Sequence, residues 1–211
     1  MIDLYTWGTP NGRKISILLE ELGLEYTVKP VDITSGDQKS DAFTAISPNG
    51  RIPAIFDQDT GIRMMESGAI MLYLSKKAGG KLVPTDETAY WQMMEWLMWQ
   101  MGGLGPMCGQ VHHFVRFNPG KAPYAEERFL NEAKRLYAVL NDWLGERDYI
   151  AGEYSLADIA IWPWISRFEW QTIDLNSYPR IKSWYERIAA RPTVQKGYHI
   201  PKFIQDIPRA D

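Results

Sequence analysis

The sequence predicts a small α/β module followed by an all-helical domain, and three observations favour this fold class. Strand-type and helix-type patterns alternate over roughly the first 80 of the 211 residues. After Pro84, apolar residues recur only at helical spacing. The composition also shifts there, because Trp and Met crowd the segment 91–101. We therefore assign 1–80 to the α/β domain and 86–211 to the helical domain, with a linker near 78–85.

The first domain is predicted to order its elements as β-α-β followed by β-β-α. β-Branched and aromatic residues favour strands at 2–7, 25–31, 54–56 and 62–65. A helix follows the first strand, because apolar residues recur on one face at Ile15, Leu18, Leu19 and Leu22. Gly23 ends this helix, and a last helix opens at Glu66 and Ser67. Pro30 favours an edge position for the second strand, since proline cannot donate to a neighbouring strand.

The second domain is predicted to be built from helices alone. Helical patterns cover 86–101, 124–145, 156–170 and 178–190. The glycine-rich segment 102–106 is expected to interrupt the first helical region. Ser155 and Asp158 have the spacing of a capping box, in which each side chain accepts from the other residue's backbone amide. We interpret this pair as a folding signal and not as a catalytic serine–aspartate pair.

Composition and charge exclude several classes of function. The 24.3 kDa chain carries 23 basic and 26 acidic residues, and its formal charge of −3 argues against nonspecific nucleic-acid binding. Its single cysteine, Cys108, excludes an internal disulfide framework and a four-cysteine zinc site. The N-terminus lacks the regions of a signal peptide, and no apolar run approaches the roughly 20 residues of a membrane span. We expect a protein of the reducing cytoplasm with no metal and no membrane partner.

Two short segments are typical of a small-molecule site. In Ser47–Ala54 (SPNGRIPA), a cis Ile52–Pro53 bond would turn the backbone of Ile52 outward to pair with an extended peptide. An ordinary loop proline is the alternative, since only about 5–6% of X–Pro bonds are cis. Ser67 opens a helix whose N-terminal amides favour a carboxylate, and Glu66 beside it suits an ammonium group. A plain helix cap with an acidic neighbour would give the same two residues.

The turn between the first strand and the first helix is a third candidate element. Thr9 offers a hydroxyl donor and Asn11 an amide donor. Both lie at the carboxyl end of a strand, where α/β folds commonly bind ligands. Pro10 and Asn11 are also ordinary turn residues, so turn formation alone would account for them.

Taken in order along the chain, these segments resemble the glutathione transferases. The resemblance covers nearly the whole sequence and includes ESGAIMLYL at 66–74 and YSLADIAIWPW at 154–164. The turn at 9–12 and the stretch 102–114 are similar to the bacterial Nu class. That class includes enzymes that reduce disulfides with glutathione, and it is related to a fungal nitrogen-regulatory prion protein. The resemblance implies a thioredoxin-like first domain, a helical second domain that forms the acceptor pocket, and a homodimer.

The resemblance also implies how glutathione would be held. Glu66 and Ser67 should bind the γ-glutamyl end. The backbone of Ile52, before cis-Pro53, should pair with the cysteinyl unit. Gln38 should contact the glycyl end. No metal takes part in this arrangement.

Thr9 and Asn11 should face the sulfur of glutathione. A free cysteine thiol has a pKa of about 8.5, so only roughly 3% is thiolate at pH 7. Lowering this pKa by about 2 units, which corresponds to roughly 2.7 kcal/mol, makes most of the thiol anionic. Arg128, in the second domain, matches an arginine that approaches the ligand in this class, and a solvated helix charge is the alternative interpretation.

The expected activity is reduction of small disulfides by glutathione, with weak peroxidase activity or transfer to electrophiles as companions. The first turn has Thr9 and Pro10 where cysteine-type enzymes place a cysteine, and the chain has no CxxC pair. The attacking thiolates must therefore belong to bound glutathione. Tyr5 precedes the turn and is not expected to replace Thr9. The alternatives are a non-catalytic glutathione-binding module of the same fold and glutathione-dependent cleavage of aromatic ethers.

Three further residues and one helix have simpler interpretations. Cys108 is expected to be a buried apolar residue. His112 and His113 are adjacent and face different directions on a helix, and one of them is a candidate for the acceptor pocket. The Trp- and Met-rich helix at 91–101 belongs either to the core or to a dimer interface.

Overall fold

The computed structural model describes residues 1–210, which form two compact units. The N-terminal unit contains Met1–Leu82 together with Ala190–Ile207. The helical unit contains Val83–Ala189 and the described residues from Pro208 onward. The boundary predicted at 86–211 differs from this division, because the segment after residue 189 returns to the N-terminal unit.

The N-terminal unit is built on a mixed four-stranded sheet with strand order β2-β1-β3-β4. Its elements in chain order are β1 (Ile2–Thr6), α1 (Pro10–Leu22), β2 (Tyr26–Pro30), α2 (Asp41–Thr44), β3 (Ala54–Asp57), β4 (Arg63–Met65) and α3 (Ser67–Lys77). β1 and β2 are parallel and are connected by α1, as parallel neighbours require. β3 pairs antiparallel with both β1 and β4. The predicted strands and helices are therefore confirmed, and Pro30 lies at the end of an edge strand.

Residues at both ends of α1 fix where this helix begins and ends. Thr9 is the N-cap, and its Oγ1 accepts from the amide of Gly12 at 3.2 Å. Pro10 occupies the first helical position, where its missing N–H has no helical partner to lose. Gly23 ends the helix in the left-handed region with φ of 67°, a conformation that glycine adopts without strain.

Apolar side chains from the sheet and both of its long helices form the core of this unit. The completely buried side chains include Leu4, Ile15, Leu18, Ile55, Ile70 and Leu74. The face predicted for α1 is the one that is buried. This core holds the turn before α1 and the start of α3 in fixed positions.

The helical unit contains five α-helices among its described residues, and its only strand-type pairing there is the isolated bridge between Ala151 and Glu153. The helices are α4 (Glu87–Trp99), α5 (Gly105–Val111), α6 (Pro123–Leu144), α7 (Leu156–Ile165) and α8 (Pro179–Ala189). The helix predicted over 156–170 ends earlier, because α7 stops at Ile165 and a short 3-10 turn follows at Phe168–Gln171.

The interruption predicted at 102–106 is wrong. A π-type turn over Gln100–Leu104 continues α4 directly into α5. Pro106 is the second residue of α5, and because it has no N–H it cannot donate a backbone hydrogen bond to the preceding π-type turn. A Cβ at Gly105 would crowd Nε2 of Gln100 and Nε1 of Trp164, so a larger residue there would require these side chains to shift.

The capping box predicted before α7 is present. Asp158 is completely buried and accepts from the amides of Ser155 at 3.0 Å and Ile150 at 3.1 Å. Trp184 of α8 also donates to it, at 2.8 Å. The box therefore joins two helices and the preceding loop as well as starting α7.

The last helix, α9 (Pro192–Tyr198), packs against α1 in the N-terminal unit. Ser16 donates to the carbonyl of Gly197 at 2.7 Å. Arg13 donates to the carbonyl of Tyr198 at 3.1 Å, and its guanidinium lies 3.5 Å from the centre of that ring. These buried contacts explain why the segment belongs to the N-terminal unit. None of the described helices combines the length and apolar character needed to cross a membrane.

Candidate active site

One cavity of about 170 Å³ in the N-terminal unit brings together most of the predicted site residues. Its lining consists of Asn11, Ser47, Asn49, Arg51, Ile52, Pro53, Met65, Glu66 and Ser67. The cavity lies where the N-terminal ends of two helices and the loop before β3 meet. Amides at helix N-termini favour anions, so the cavity suits a ligand with a carboxylate.

The loop before β3 forms one wall of the cavity. The Ile52–Pro53 peptide bond is cis, as the resemblance implied, whereas the residues alone left an ordinary loop proline open. Ser47 is completely buried and donates to the carbonyl of Arg51 at 2.8 Å, which fixes the loop. Sequence reasoning gave no role to Ser47, Asn49 and Arg51 individually, although they belong to the segment that carried the prediction.

The start of α3 forms the opposite wall. Glu66 is its N-cap residue and has a positive φ of 70°, and Ser67 is the first helical residue. Ser67 is 6% exposed, so its hydroxyl is nearly enclosed by protein. Here the predicted pair of an acidic side chain and a helix N-terminus is present as expected.

Lys14 lies behind this wall and was missed by the sequence reasoning. Its side chain, in α1, is completely buried, and its ammonium donates to Ser67 Oγ at 3.2 Å. Burial lowers the pKa of Lys14 to about 7, and the nearby charge of Glu66 works in the opposite direction. In the sequence, Lys14 directly precedes Ile15, the first residue of the predicted apolar face of α1. A prediction of burial that counts only apolar residues cannot identify a buried lysine.

The turn before α1 contributes Asn11 to the cavity. Thr9 is half-buried and is not one of the lining residues. Its Oγ1 accepts from Gly12, and this bond uses an oxygen lone pair, so the hydroxyl can still act as a donor. Thr9 is thus the cap that fixes the turn carrying Asn11.

Gln38 lies in a neighbouring cavity of about 380 Å³. The lining of this second cavity is Gln38, Lys39, Thr44, Pro48, Asn49, Gly50 and Arg51. Asn49 and Arg51 border both cavities, so the two cavities are neighbours. Lys39 and Arg51 place positive charge along the Gln38 end, which suits a second carboxylate.

Arg128 belongs to α6 of the helical unit. It lines a cavity of about 630 Å³ in that unit together with Tyr124, Glu132 and Arg135. Arg135 pairs with Glu132 at 2.7 Å. The structure therefore places Arg128 on a cavity with both charged and apolar lining residues, while the other seven predicted residues lie in the N-terminal unit.

The remaining candidates of the helical unit are mostly buried. Cys108 is completely buried, which raises the pKa of its thiol and makes it a poor nucleophile. His112 is buried between Trp164 and Trp170, and burial lowers its pKa to about 4. His113 is exposed. Within residues 1–210, no group of three or more His, Cys, Asp or Glu side chains is placed to hold a metal ion.

The βαβ-ββα sheet, its cis-proline loop and the separate helical unit define a thioredoxin-like domain joined to an all-α domain. Family models confirm this class. The glutathione S-transferase N-terminal domain matches residues 9–77, and the C-terminal domain matches residues 104–192. The chain belongs to the glutathione S-transferase family.

Individual relatives match over nearly the whole chain. The disulfide-bond oxidoreductase YfcG of Escherichia coli strain K12 is 50% identical over 199 residues, which cover 91% of this chain and 92% of the relative. A glutathione transferase from Pseudomonas putida, solved with one glutathione disulfide per subunit, has a TM-score of 0.88 and 39% identity over 95% of this chain and 91% of its own. A family member from Pseudomonas fluorescens, solved with two glutathione molecules, has a TM-score of 0.86 and 40% identity over 95% and 93%.

Proposed function

We propose that this chain is a glutathione-dependent enzyme that reduces small disulfides and transfers glutathione to electrophiles. The observation that carries the proposal is the convergence of Asn11, cis-Pro53 and Ser67 on one cavity in a chain whose first turn has no cysteine. The names and ligands of the relatives support it, since YfcG is a disulfide-bond oxidoreductase and the P. putida structure holds glutathione disulfide.

Glutathione would lie across the two neighbouring cavities. Its γ-glutamyl end would bind at Glu66 and Ser67, its cysteinyl unit at the backbone of Ile52, and its glycyl end near Gln38. Asn11 would then lie nearest the sulfur. This direction places the two carboxylates of glutathione at the N-terminus of α3 and near Lys39, where positive potential is available.

The reaction would proceed by two thiolate attacks. The thiolate of bound glutathione attacks one sulfur of the substrate disulfide, which forms a mixed disulfide and releases one substrate thiolate. A second glutathione thiolate attacks the glutathione sulfur of the mixed disulfide, which releases the other substrate thiolate and leaves glutathione disulfide. Two glutathione molecules are oxidised and one disulfide is reduced. The contribution of the protein is to stabilise the thiolate with the uncharged donors of Thr9 and Asn11.

The activity is tested by adding glutathione and a model disulfide, bis(2-hydroxyethyl) disulfide, to the purified protein. Glutathione disulfide formation is followed through glutathione reductase and NADPH oxidation. We expect a rate well above the uncatalysed exchange, and Asn11→Ala should lower it. A rate equal to the uncatalysed exchange, for this and for several electrophiles, would contradict the proposal.

A non-catalytic glutathione-binding module is the second candidate, because the same cavity would serve it. Calorimetry separates the two, since tight glutathione binding without turnover favours the module. Arg128 remains a proposed ligand residue on the resemblance alone. A homodimer and a reducing cytoplasm also remain proposals for this chain.

A further inference from the structure

Lys14 is a buried charged residue that lies beside the candidate site without lining it. Lys14 is completely buried, and fully buried lysines are rare in proteins unless they are paired. Burying an ammonium group costs free energy that an apolar side chain of similar size would not cost. Lys14 therefore depends on the interactions that it makes in the interior, among them the hydrogen bond to Ser67.

The side chain of Ser67 connects Lys14 to the cavity. Its ammonium donates to Ser67 Oγ at 3.2 Å, and Ser67 lines the cavity whereas Lys14 does not. Because an ammonium group can only donate, Ser67 Oγ accepts in this bond. The hydroxyl proton of Ser67 is therefore not used in the bond to Lys14.

The positive potential around Ser67 also favours a carboxylate in the cavity. The backbone amides at the N-terminus of α3 favour an anion in front of Ser67. Lys14 lies directly behind Ser67, in a buried environment where charge interactions are weakly screened. A carboxylate in the cavity would favour the ammonium form of Lys14 over the neutral amine, as Glu66 already does.

We propose that Lys14 is a positioning residue for the α-carboxylate of the γ-glutamyl group, which it reaches by orienting Ser67 and by adding positive charge behind the N-terminus of α3. This inference rests on the proposed function, since it assigns a further residue to the glutathione site. It predicts an effect confined to ligands that carry that carboxylate.

Two tripeptide analogues isolate the carboxylate. In 4-aminobutyryl-Cys-Gly the α-carboxylate is missing and the amine remains, whereas glutaryl-Cys-Gly retains the carboxylate and lacks the amine. Calorimetry measures the Kd of glutathione and both analogues for the wild type and for Lys14→Met, an apolar replacement of similar shape. Lys76→Met is the matched control, because Lys76 is an exposed lysine at the other end of α3.

We expect Lys14→Met to weaken glutathione and the glutaryl analogue by about tenfold and to change the 4-aminobutyryl analogue by less than about twofold. Lys76→Met should change none of the three. Lys14→Gln keeps a donor for Ser67 without the charge, and it provides the same comparison if the methionine variant does not fold. The glutamine variant should show the same selective loss in smaller degree.

Two results would overturn the inference. If wild type binds glutathione and the Lys14 variants weaken all three ligands equally, or none of them, Lys14 has a structural role and the proposed function stands. If wild type binds neither glutathione nor the glutaryl analogue at millimolar concentration, the proposed function and this inference both fail.

Discussion

Thr9 combines two roles that a substitution series can separate. Its Oγ1 caps α1, and its hydroxyl is a proposed donor to the glutathione sulfur. Thr9→Ala removes both, whereas Thr9→Gly removes the hydroxyl but retains a residue that caps helices at a cost of only a few tenths of a kcal/mol. The glycine variant therefore tests the chemistry with little change in folding.

We expect Thr9→Gly and Thr9→Ala to lower the rate of disulfide reduction by about tenfold, because the pKa of the bound thiol should rise by about 1 unit. Only Thr9→Ala should also lower the free energy of unfolding, by about 1 kcal/mol. Thr9→Ser is the control and should retain both properties. The measurements are the coupled reductase assay, thiolate absorbance against pH, and urea unfolding. An unchanged rate for Thr9→Gly would remove Thr9 from the mechanism.

His112 makes the stability of the protein depend on pH. It is 7% exposed, and burial, with a smaller contribution from Arg167, lowers its pKa in the folded chain to about 4. An unfolded histidine has a pKa of about 6.5, so between these values the unfolded state binds more protons than the folded state. Stability contributed at this position therefore rises as the pH increases from 4 to 6.5.

His112→Gln removes this titration and keeps a polar side chain beside Gln171, the present hydrogen-bond partner at 3.3 Å. The difference in unfolding free energy between wild type and variant should grow in favour of wild type from pH 4 to 6.5, by on the order of 3 kcal/mol. Urea unfolding at several pH values measures it, and His113→Gln, at an exposed position, is the control. A difference that does not change with pH would show that His112 titrates normally.

At the level of elements, α9 packs closely against α1 because residue 197 is a glycine. A Cβ at Gly197 would lie 2.6 Å from Cα of Ile17, and a backbone atom cannot move aside as a flexible side chain can. Gly197→Ala should therefore destabilise the protein by about 1–3 kcal/mol, the usual cost of overpacking. Loss of the buried bond from Ser16 to the Gly197 carbonyl would accompany this change.

Gly102→Ala is the matched control for Gly197→Ala. It makes the same substitution in a helical segment where no atom lies within 4 Å of the added Cβ. Urea unfolding should show equal or greater stability for this variant, because alanine favours helices over glycine. Equal stabilities for the two variants would mean that α9 can move away from α1 at no cost.

Local patterns predicted the elements whose signal lies within a few neighbouring residues. The strands, the α1 face and the capping box at Ser155 and Asp158 follow from spacing and hydrogen-bonding chemistry, and the structure contains them. The same local reasoning was wrong for 102–106, since the π-type turn over Gln100–Leu104 keeps the chain helical between α4 and α5. Lys14 was missed for a similar reason, because its partner Ser67 is 53 residues away in sequence.

At the scale of the whole molecule, the chain leaves the N-terminal unit after Leu82 and returns to it at Ala190. No local pattern in the sequence marks this return, because it depends on the packing of α9 against α1, which is distant in sequence. The tail after α9 also lies on the N-terminal unit, where Lys202 is 4.6 Å from the centre of the Trp7 ring. A residue of the tail thus contacts a side chain two positions before Thr9.

The proposed homodimer belongs to this scale as well. Trp91 and Met98 of α4 are 59% and 49% exposed, although both are large and apolar. They are seven residues apart and lie on one face of the helix, while Met93 and Leu97 on the other side are completely buried. Exposed aromatic and methionine residues that share a face are typical of interfaces.

We expect wild type to elute as a dimer in size-exclusion chromatography with light scattering, and the double variant Trp91→Glu/Met98→Glu to elute as a folded monomer. Placing two carboxylates at the centre of an apolar interface leaves buried charges without partners, which strongly disfavours association. Phe117→Glu is the control, because Phe117 is 61% exposed in the same unit but lies outside α4. A dimeric double variant with normal circular dichroism would assign the interface to another surface, and a monomeric wild type would exclude the dimer.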